Sequence, residues 1–402
     1  MIRIRAQVLP APAPPDADCV DHCRVRRYHP AHERGNIRRE DHQVRPAPPR
    51  PDEPAPAGVP AAASEPAALL LDDPRFDRHV PPGHHPERPE RLTAARAAVA
   101  GAHARFTATP ARTATDEELA RVHDPRFIGR LDELRGQRAY LDPDTYVSPE
   151  SVDVARLAAG SLVAMVDALL DGPIPKGVAL LRPPGHHARP ARAMGFCLIN
   201  NVAVAAAHAR ARGLSRVAVV DWDVHHGNGT QEMFWRDASV LYASTHQFPF
   251  YPGTGDVDEV GEGEGAGYTV NVPMPAGVGD RVYVTAFERV ILPVLAEYAP
   301  QLVLVSAGFD ASARDPLAQM ELSPAAFGWM AREIARVAER SAGGRMALVL
   351  EGGYDLVALQ AGLESAIAGM TGAPVADPGR APDDESVERA AAWARKKWTT
   401  VT

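Results

Sequence analysis

Four short apolar runs predict strands that are buried on both faces. They lie at residues 178–181, 217–220, 302–305 and 347–350, and together they contain only Val, Leu and Ala. Runs of this length, without polar alternation, are typical of the middle of a parallel sheet. Stretches with apolar residues at helical spacing separate them. The alternation predicts an α/β fold with a mostly parallel sheet.

Helix signals occur between these strands. Ser148-Pro149 and Ser323-Pro324 each combine a capping serine with a proline suited to the first helical position. Asp280 is a similar candidate cap, for a helix that reaches Tyr298. Apolar spacing predicts further helices at residues 92–103, 116–135 and 203–212.

The chain divides into three parts by composition. Residues 1–66 are rich in Pro, Ala and Arg without an apolar period, which predicts a disordered tail. Residues 67–372 should form the folded domain, and residues 373–402 a linker with a short C-terminal helix. Cys19 and Cys23 invite a zinc-finger interpretation, but two thiols without an apolar core do not favour a metal site.

Charge and cysteine content exclude several classes of protein. The net charge of −8 argues against a general nucleic-acid binder. No apolar run approaches the ~20 residues of a membrane span, and no apolar segment follows the charged N-terminus as in a secretory signal. Three cysteines cannot form a disulfide framework, so we expect a cytoplasmic location.

Chemically unusual residues follow four of the predicted strands. In parallel sheets the ligand crevice lies outside the carboxyl ends of the strands. We therefore expect these residues to converge on one pocket: His186, His187, Asp221, Asp223, His225, Asp310 and Tyr354.

The central motif, Asp-Trp-Asp-Val-His-His-Gly-Asn-Gly at residues 221–229, indicates a metal centre. If the extended backbone continues past Val220, Asp221, Asp223 and His225 point the same way. The alternative is a polar loop whose charges face water. With Asp310 from another strand, Asp223 and His225 suffice for a three-ligand metal with an open position. Such a metal activates water and polarises a carbonyl.

Hydrolysis also requires proton transfer and stabilisation of an oxyanion. His186 and His187 suit proton transfer because imidazole titrates near neutrality. They could instead be two more metal ligands or exposed loop residues. Tyr354 follows Gly352-Gly353 and can present a phenol to the oxyanion. The alternative is a tyrosine of the core, which the double glycine disfavours.

Together these residues resemble one family. The motifs at residues 182–188, 195–197, 221–229, 252–256, 307–310 and 351–354 follow the order seen in the histone deacetylase superfamily, which includes acetylpolyamine amidohydrolases and acetoin-utilisation proteins. The resemblance covers roughly residues 70–372 and is closest to class II and bacterial class II-like members. It implies the arginase/deacetylase three-layer sandwich, an eight-stranded, mostly parallel sheet with helices on both faces.

The resemblance also implies roles for individual residues. Asp223, His225 and Asp310 resemble the ligands of a single catalytic zinc. The proton-transfer set is His187 as general base and acid, His186 as its electrostatic neighbour, Tyr354 as the oxyanion donor, Asp221 orienting His186 and Asn228 orienting His187. Class I members carry Asp at the position of Asn228. A neutral partner should leave His187 less easily protonated.

Further residues resemble those that surround the substrate. Phe196 and Tyr251 correspond to the two aromatic walls of an acyl-lysine tunnel. The other correspondences are Thr145 contacting the substrate amide, Gly195 and Gly353 leaving room for the backbone, Leu317 where polyamine-selective relatives place Glu, and Arg91 in an inner acetate channel. Structural potassium is implied at two sites, Asp221, Asp223, His225 and Ser244 for one, and Phe234, Asp237, Val240 and Tyr268 for the other.

The leading hypothesis is a zinc amidohydrolase that deacetylates N-acetyl-lysine in proteins or peptides, or a related acylated amine. An acetylpolyamine is the alternative substrate. Leu317 does not favour it, because this side chain carries no charge. Asp144, Glu262 or Glu264 could still supply the negative charge that a cationic polyamine needs. A non-catalytic acyl-lysine or metabolite binder on the same fold is a further alternative. An arginase-like ureohydrolase is disfavoured because the site offers ligands for one metal. We expect no direct nucleic-acid or membrane partner, and an oligomer is compatible with the sequence.

Overall fold

The computed structural model describes residues 67–402. The predictions made for residues 1–66, namely the disordered tail and the disfavoured site at Cys19 and Cys23, lie outside the described residues. Within residues 67–402, no helix is both long and apolar enough to cross a membrane.

A central sheet of eight strands, all parallel, carries the fold, with strand order β2-β1-β5-β10-β9-β6-β7-β8. The strands of this sheet and of one antiparallel hairpin (β3 and β4) are β1 Ala67–Leu71, β2 Arg105–Ala108, β3 Ala139–Tyr140, β4 Tyr146–Val147, β5 Lys176–Ala179, β6 Val217–Asp221, β7 Val240–Gln247, β8 Thr269–Met274, β9 Leu302–Ala307 and β10 Met346–Leu350. All four predicted strands are present. The first begins and ends two residues earlier than predicted, at Lys176 and Ala179.

Helices cover both faces of this sheet, as predicted. They are α1 Glu90–Gly101, α2 Asp116–Ala120, α3 Pro125–Asp132, α4 Ser151–Asp171, α5 Asn201–Ala211, α6 Asn228–Met233, α7 Asp280–Ala286, α8 Leu292–Tyr298, α9 Pro324–Ser341, α10 Leu356–Thr371 and α11 Glu385–Ala394. Helices α4 and α5 form one layer on the sheet, and α9, α10 and α1 the other. A single π-helical turn, Phe287–Ile291, joins α7 to α8.

The helix caps differ in part from prediction. Ser323 caps α9 as expected, accepting a hydrogen bond from the Ala325 N–H at 3.2 Å. The Ser148 prediction is wrong: α4 begins at Ser151, whose hydroxyl accepts the Ser148 N–H at 2.7 Å. Asp280 is the first residue of α7 rather than its cap, and its carboxylate accepts the Ser323 N–H at 2.7 Å. Asp280 therefore connects the beginnings of α7 and α9.

The C-terminal segment packs against the edge strand β8. Helix α11 contains Trp393 and contacts β8. Trp398 follows the helix and donates its indole N–H to the Gly267 carbonyl at 2.9 Å. Residues 385–402 thus cover the edge of the sheet that β8 would otherwise expose.

Candidate active site

Four loops meet at the carboxyl edge of the sheet. They follow β5, β10, β9 and β6, which are neighbours in that order. Because all four strands run parallel, their carboxyl ends lie at the same edge. The structure thereby brings together the residues that the sequence singled out from separate parts of the chain.

Asp223, His225 and Asp310 form a candidate metal centre. One ligand atom from each lies within 4.8 Å of the other two. His225 Nδ1 is 3.1 Å from Asp223 Oδ1 and 3.2 Å from Asp310 Oδ2. Two carboxylates and an imidazole with ligand atoms this close together are a donor set suited to zinc with an open fourth position.

The backbone reaches this arrangement differently from the sequence interpretation. Strand β6 ends at Asp221 and does not continue in extended form to His225. Instead, the Asp221 carboxylate accepts the Asp223 N–H at 3.1 Å, and the Asp223 carboxylate accepts the His225 N–H at 2.9 Å. These turns place Asp223 and His225 together, whereas the Asp221 side chain contacts His186.

The two adjacent histidines have different partners. His186 Nδ1 is 3.0 Å from the Asp221 carboxylate, whereas His187 Nδ1 is 2.9 Å from the amide oxygen of Asn228, the first residue of α6. Both orienting contacts are those expected from the sequence. His186 and His187 are buried, which excludes the exposed-loop alternative.

The partners give the two imidazoles opposite protonation behaviour. Burial lowers the pKa of His186, but the charges of Asp221 and Asp223 outweigh it and raise that pKa to about 10. Burial lowers the pKa of His187 well below its usual value, and the nearby His186 and His225 lower it further. His187 is therefore neutral at pH 7 and able to accept a proton.

Tyr354 lines the same cavity as His187 and His225. Its ring lies 5.8 Å from that of Phe196 and 5.0 Å from the Arg91 guanidinium, measured between centres. Burial raises the pKa of its phenol well above the usual value, while Arg91 lowers it. The phenol therefore stays protonated near neutrality and can donate a hydrogen bond.

A cavity of about 240 Å³ connects this centre to solvent. Its lining comprises Asp144, His187, Gly195, Phe196, His225, Phe250, Tyr251, Leu317 and Tyr354. The Tyr251 ring stands 5.2 Å from the His187 ring, nearly perpendicular to it at 86°. Phe196 and Tyr251 are both in the lining, as the sequence predicted for the aromatic walls.

Two residues of the wall have left-handed backbone conformations. Gly195 has φ of +59°, and a Cβ there would lie 2.5 Å from the His187 ring, so only glycine fits. Phe196 has φ of +66°, an uncommon conformation for a residue with a side chain. Its N–H is held by the Thr145 hydroxyl at 3.1 Å.

That contact changes the interpretation of Thr145. The residue is fully buried behind the wall and is not in the lining of the cavity, so its contact with the substrate amide stays a prediction. Its exposed neighbour Asp144 lines the cavity instead. Gly353 likewise lies outside the lining; a Cβ there would meet Phe309 at 3.1 Å, and its φ is +116°.

Arg91 belongs to a buried ionic cluster that the sequence interpretation missed. Arg91 and Glu87 are both fully buried. Glu87 accepts hydrogen bonds from Arg91 at 3.1 Å, from Arg182 at 2.7 Å and from the Tyr146 hydroxyl at 3.0 Å. Removing one partner of such a cluster typically costs ~3–5 kcal/mol because a charge is left unpaired.

Two further carboxylates support the catalytic loops. Glu351 accepts the N–H groups of Gly185 at 2.6 Å and His186 at 3.2 Å, so it fixes the loop that carries the histidines. Asp315 accepts the Tyr354 N–H at 2.6 Å. Burial raises the pKa of each to about 7. Their positions in the sequence could have indicated this role, because Glu351 directly follows β10 and Asp315 lies five residues after Asp310.

The residues expected to bind potassium lie in two separate places: the first set is near the carboxyl edge, and the second is at the amino ends of β7 and β8. Of the first set, Ser244 places its hydroxyl 2.9 Å from His246 Nδ1. Of the second set, the Phe234 carbonyl accepts the Asp237 N–H at 3.0 Å, and the Tyr268 carbonyl accepts the Tyr242 N–H at 2.9 Å. The potassium assignment stays a prediction.

Known proteins that are similar to this chain in sequence are histone deacetylases and related deacetylases. A sequence profile of the histone deacetylase domain matches residues 85–370. The chain is 44% identical to Histone deacetylase 15 of Arabidopsis thaliana over 296 residues, 72% of this chain and 53% of that protein. It is 44% identical to Polyamine deacetylase HDAC10 of Homo sapiens over 308 residues, 72% of this chain and 44% of that protein.

Two further similar proteins are matched over a larger share of their own length. Histone deacetylase-like amidohydrolase of Pseudomonas aeruginosa is 43% identical over 299 residues, 73% of this chain and 78% of that protein. The crystal structure of the HDA15 HD domain superposes with a TM-score of 0.77 at 38% identity, covering 84% of this chain and 97% of that one. The chain spans about half the length of the first two relatives.

Proposed function

The chain belongs to the histone deacetylase family, and we propose that it removes the acetyl group from an N-acetylated lysine or a related acylated primary amine. The observation that carries the proposal is the convergence, on one cavity, of a metal-ligand group, a neutral buried histidine and a phenol.

Asp223, His225 and Asp310 would hold the metal, for which we propose zinc. The donor set fits a catalytic zinc because it supplies three ligands and leaves one position free. When bound, zinc lowers the pKa of water to around 7 and polarises the amide carbonyl.

The residues of this chain perform the proton transfers. His187, neutral and oriented by Asn228, accepts the proton of the water that attacks the carbonyl carbon. It then gives a proton to the leaving nitrogen as the C–N bond breaks, which releases acetate and the free amine. The Tyr354 phenol donates a hydrogen bond to the oxyanion. His186, held positive by Asp221, adds favourable electrostatic interaction with that oxyanion.

The cavity favours an extended, apolar acyl-lysine chain. Phe196 and Tyr251 are suited to sandwich methylene groups. Leu317 offers no charge to a second amine of the substrate. We therefore favour an acetyl-lysine side chain of a peptide or protein.

An acetylpolyamine is the second candidate. Asp144 lines the cavity and could attract a cationic amine. One relative at 44% identity bears the name polyamine deacetylase. A non-catalytic acyl-lysine binder would not require the neutral His187 beside the metal-ligand group.

The decisive experiment measures hydrolysis of acylated lysine peptides and acetylated polyamines by the purified protein, with its metal content determined in parallel. His187→Ala is the matched inactive control. Release of acetate from acetyl-lysine peptides with higher kcat/KM than from acetylspermidine is expected. Binding of acetyl-lysine without release of acetate by metal-loaded protein would overturn the enzymatic proposal and support the binder.

A further inference from the structure

One buried carboxylate, that of Asp315, bonds to two segments of the site. Its Oδ2 accepts the N–H groups of Tyr354 at 2.6 Å and Asp355 at 3.2 Å. Its Oδ1 accepts the Leu317 N–H at 3.0 Å. Tyr354 and Leu317 both line the cavity, on loops that follow different strands. Asp315 is the shared support of these two parts of the wall.

The peptide group between Gly353 and Tyr354 is held at both of its polar atoms. Its carbonyl accepts the Nε–H of Arg91 at 2.7 Å, and its N–H donates to Asp315. Hydrogen bonds to charged partners are stronger than neutral ones, and burial strengthens them further. Gly353 has φ of +116°, so this peptide would otherwise have wide rotational freedom. The two contacts fix the backbone from which the phenol projects.

We propose that Asp315 is a positioning residue for catalysis: by binding the N–H groups of Tyr354 and Leu317 it holds the phenol over the metal-ligand group and sets the adjoining wall. The inference rests on the proposed function of Tyr354. An oxyanion donor acts only within about 2.7–3.1 Å of the developing charge. A displacement of about 1 Å can cost ~10²-fold in rate.

Both carboxylate oxygens are needed for this arrangement. Asparagine has nearly the same shape but only one acceptor oxygen, and its NH₂ group would face an N–H donor. Asp315→Asn therefore cannot satisfy Tyr354 and Leu317 at once. Asp355→Asn is the matched control, because the Asp355 side chain caps α10 through the Ala358 N–H at 2.8 Å and asparagine caps equally well. The substitution also removes an ion pair with the exposed Arg314, which contributes little.

The test is a double-mutant cycle with Tyr354→Phe, read as kcat and KM on an acetyl-lysine peptide. Asp315→Asn should lower kcat ~10–100-fold because the phenol is displaced, whereas the displaced wall at Leu317 should change KM by less than about threefold. In the Tyr354→Phe background, the same substitution should lower kcat by less than about twofold, because the phenol it positions is already absent. Asp355→Asn should leave both constants within about twofold.

Equal losses in both backgrounds would overturn the inference, since Asp315 would then act through the metal centre or the fold. Metal content and the unfolding temperature are measured for every variant. If Asp315→Asn fails to fold or bind metal, Asp315→Glu, which keeps both acceptors but displaces them, enters the same cycle under the same criterion.

A readout without catalysis separates this inference from the proposed function. Amide hydrogen exchange at Tyr354 should accelerate at least ~10-fold in Asp315→Asn, because its N–H loses a buried acceptor. Asp355→Asn should leave that rate unchanged. Unaltered exchange in Asp315→Asn would refute the positioning role. Absence of hydrolysis by the parent protein, with accelerated exchange in the variant, would count against the proposed function alone.

Discussion

The metal-ligand group of Asp223, His225 and Asp310, which reaches the cavity through His225 and is called its floor here, contrasts with its mouth, lined by Asp144, Tyr251 and Leu317. Floor carboxylates are completely buried and bonded to backbone: Asp223 accepts the Gly352 N–H at 2.8 Å, and Asp310 accepts the Val224 N–H at 3.0 Å. At the mouth, Tyr251 is 38% exposed and Asp144 is also exposed.

This contrast follows from where each part lies in the fold. The floor residues leave the ends of adjacent parallel strands, whose register fixes their spacing. The mouth residues lie on three separate loops, each able to change without disturbing the sheet. We infer that the floor determines the chemistry for any substrate, whereas the mouth selects among substrates.

Removing one of the proposed metal ligands of the floor should have the largest effect. Asp223→Ala should abolish metal retention and lower kcat/KM at least ~10³-fold for every acylated amine, because the ion and the water that it activates are lost together. Metal analysis and steady-state kinetics provide the measurement. Asp258→Ala, at an exposed aspartate, is the control. Metal-loaded, active Asp223→Ala would remove this residue from the ligand set.

Removing His187, the proposed general base, should have the next largest effect. His187→Ala should lower kcat by about two to four orders of magnitude while metal content stays at the parental level. His84→Ala, at an exposed histidine, controls for loss of an imidazole. Near-parental turnover by His187→Ala would transfer the role of base to another group and weaken the division between floor and mouth.

The floor was also the part that sequence could predict. Strand exits are recognisable from apolar runs, so Asp223, His225, Asp310 and Tyr354 were expected to converge. The actual turns after Asp221 were not foreseen, because they depend on side chain-to-backbone hydrogen bonds that hydrophobic periodicity does not encode.

The buried carboxylate of Glu87 and the residues of the mouth were harder to predict, because their positions also depend on contacts that the local sequence does not show. Glu87 lies in a Pro-punctuated segment and becomes buried only because Arg91 and Arg182 reach it, the latter from 95 residues away along the chain. Thr145 and Asp144 are adjacent, and a loop conformation decides which of them faces the cavity. Long-range partners and loop conformations have no local pattern in the sequence.

A substitution beside the base should change pH dependence more than rate. In Asn228→Asp the new carboxylate would stabilise the imidazolium of His187 and raise its lowered pKa. The base works when neutral, so activity falls as pH decreases through that pKa. The acid limb of kcat/KM should therefore move to higher pH, by about 1–3 units. Gln137→Glu adds an exposed charge as the control. An unmoved acid limb would dissociate Asn228 from the protonation of His187.

The smallest effect should come from the mouth and should concern selectivity. Leu317→Glu places a carboxylate in the wall of the cavity, where it can attract the distal amine of acetylspermidine. The ratio of kcat/KM for acetylspermidine to that for an acetyl-lysine peptide should rise ~10-fold, the equivalent of one modest ion pair. Leu317→Gln supplies a side chain of similar size without the charge and should change the ratio little. The gain should also diminish at high ionic strength, because salt screens partly exposed charges. If Leu317→Gln produced the same gain, or salt left it unchanged, shape rather than charge at Leu317 would control the choice of substrate. Metal content should be parental in both variants; a loss there would mean that the mouth and the floor are not independent.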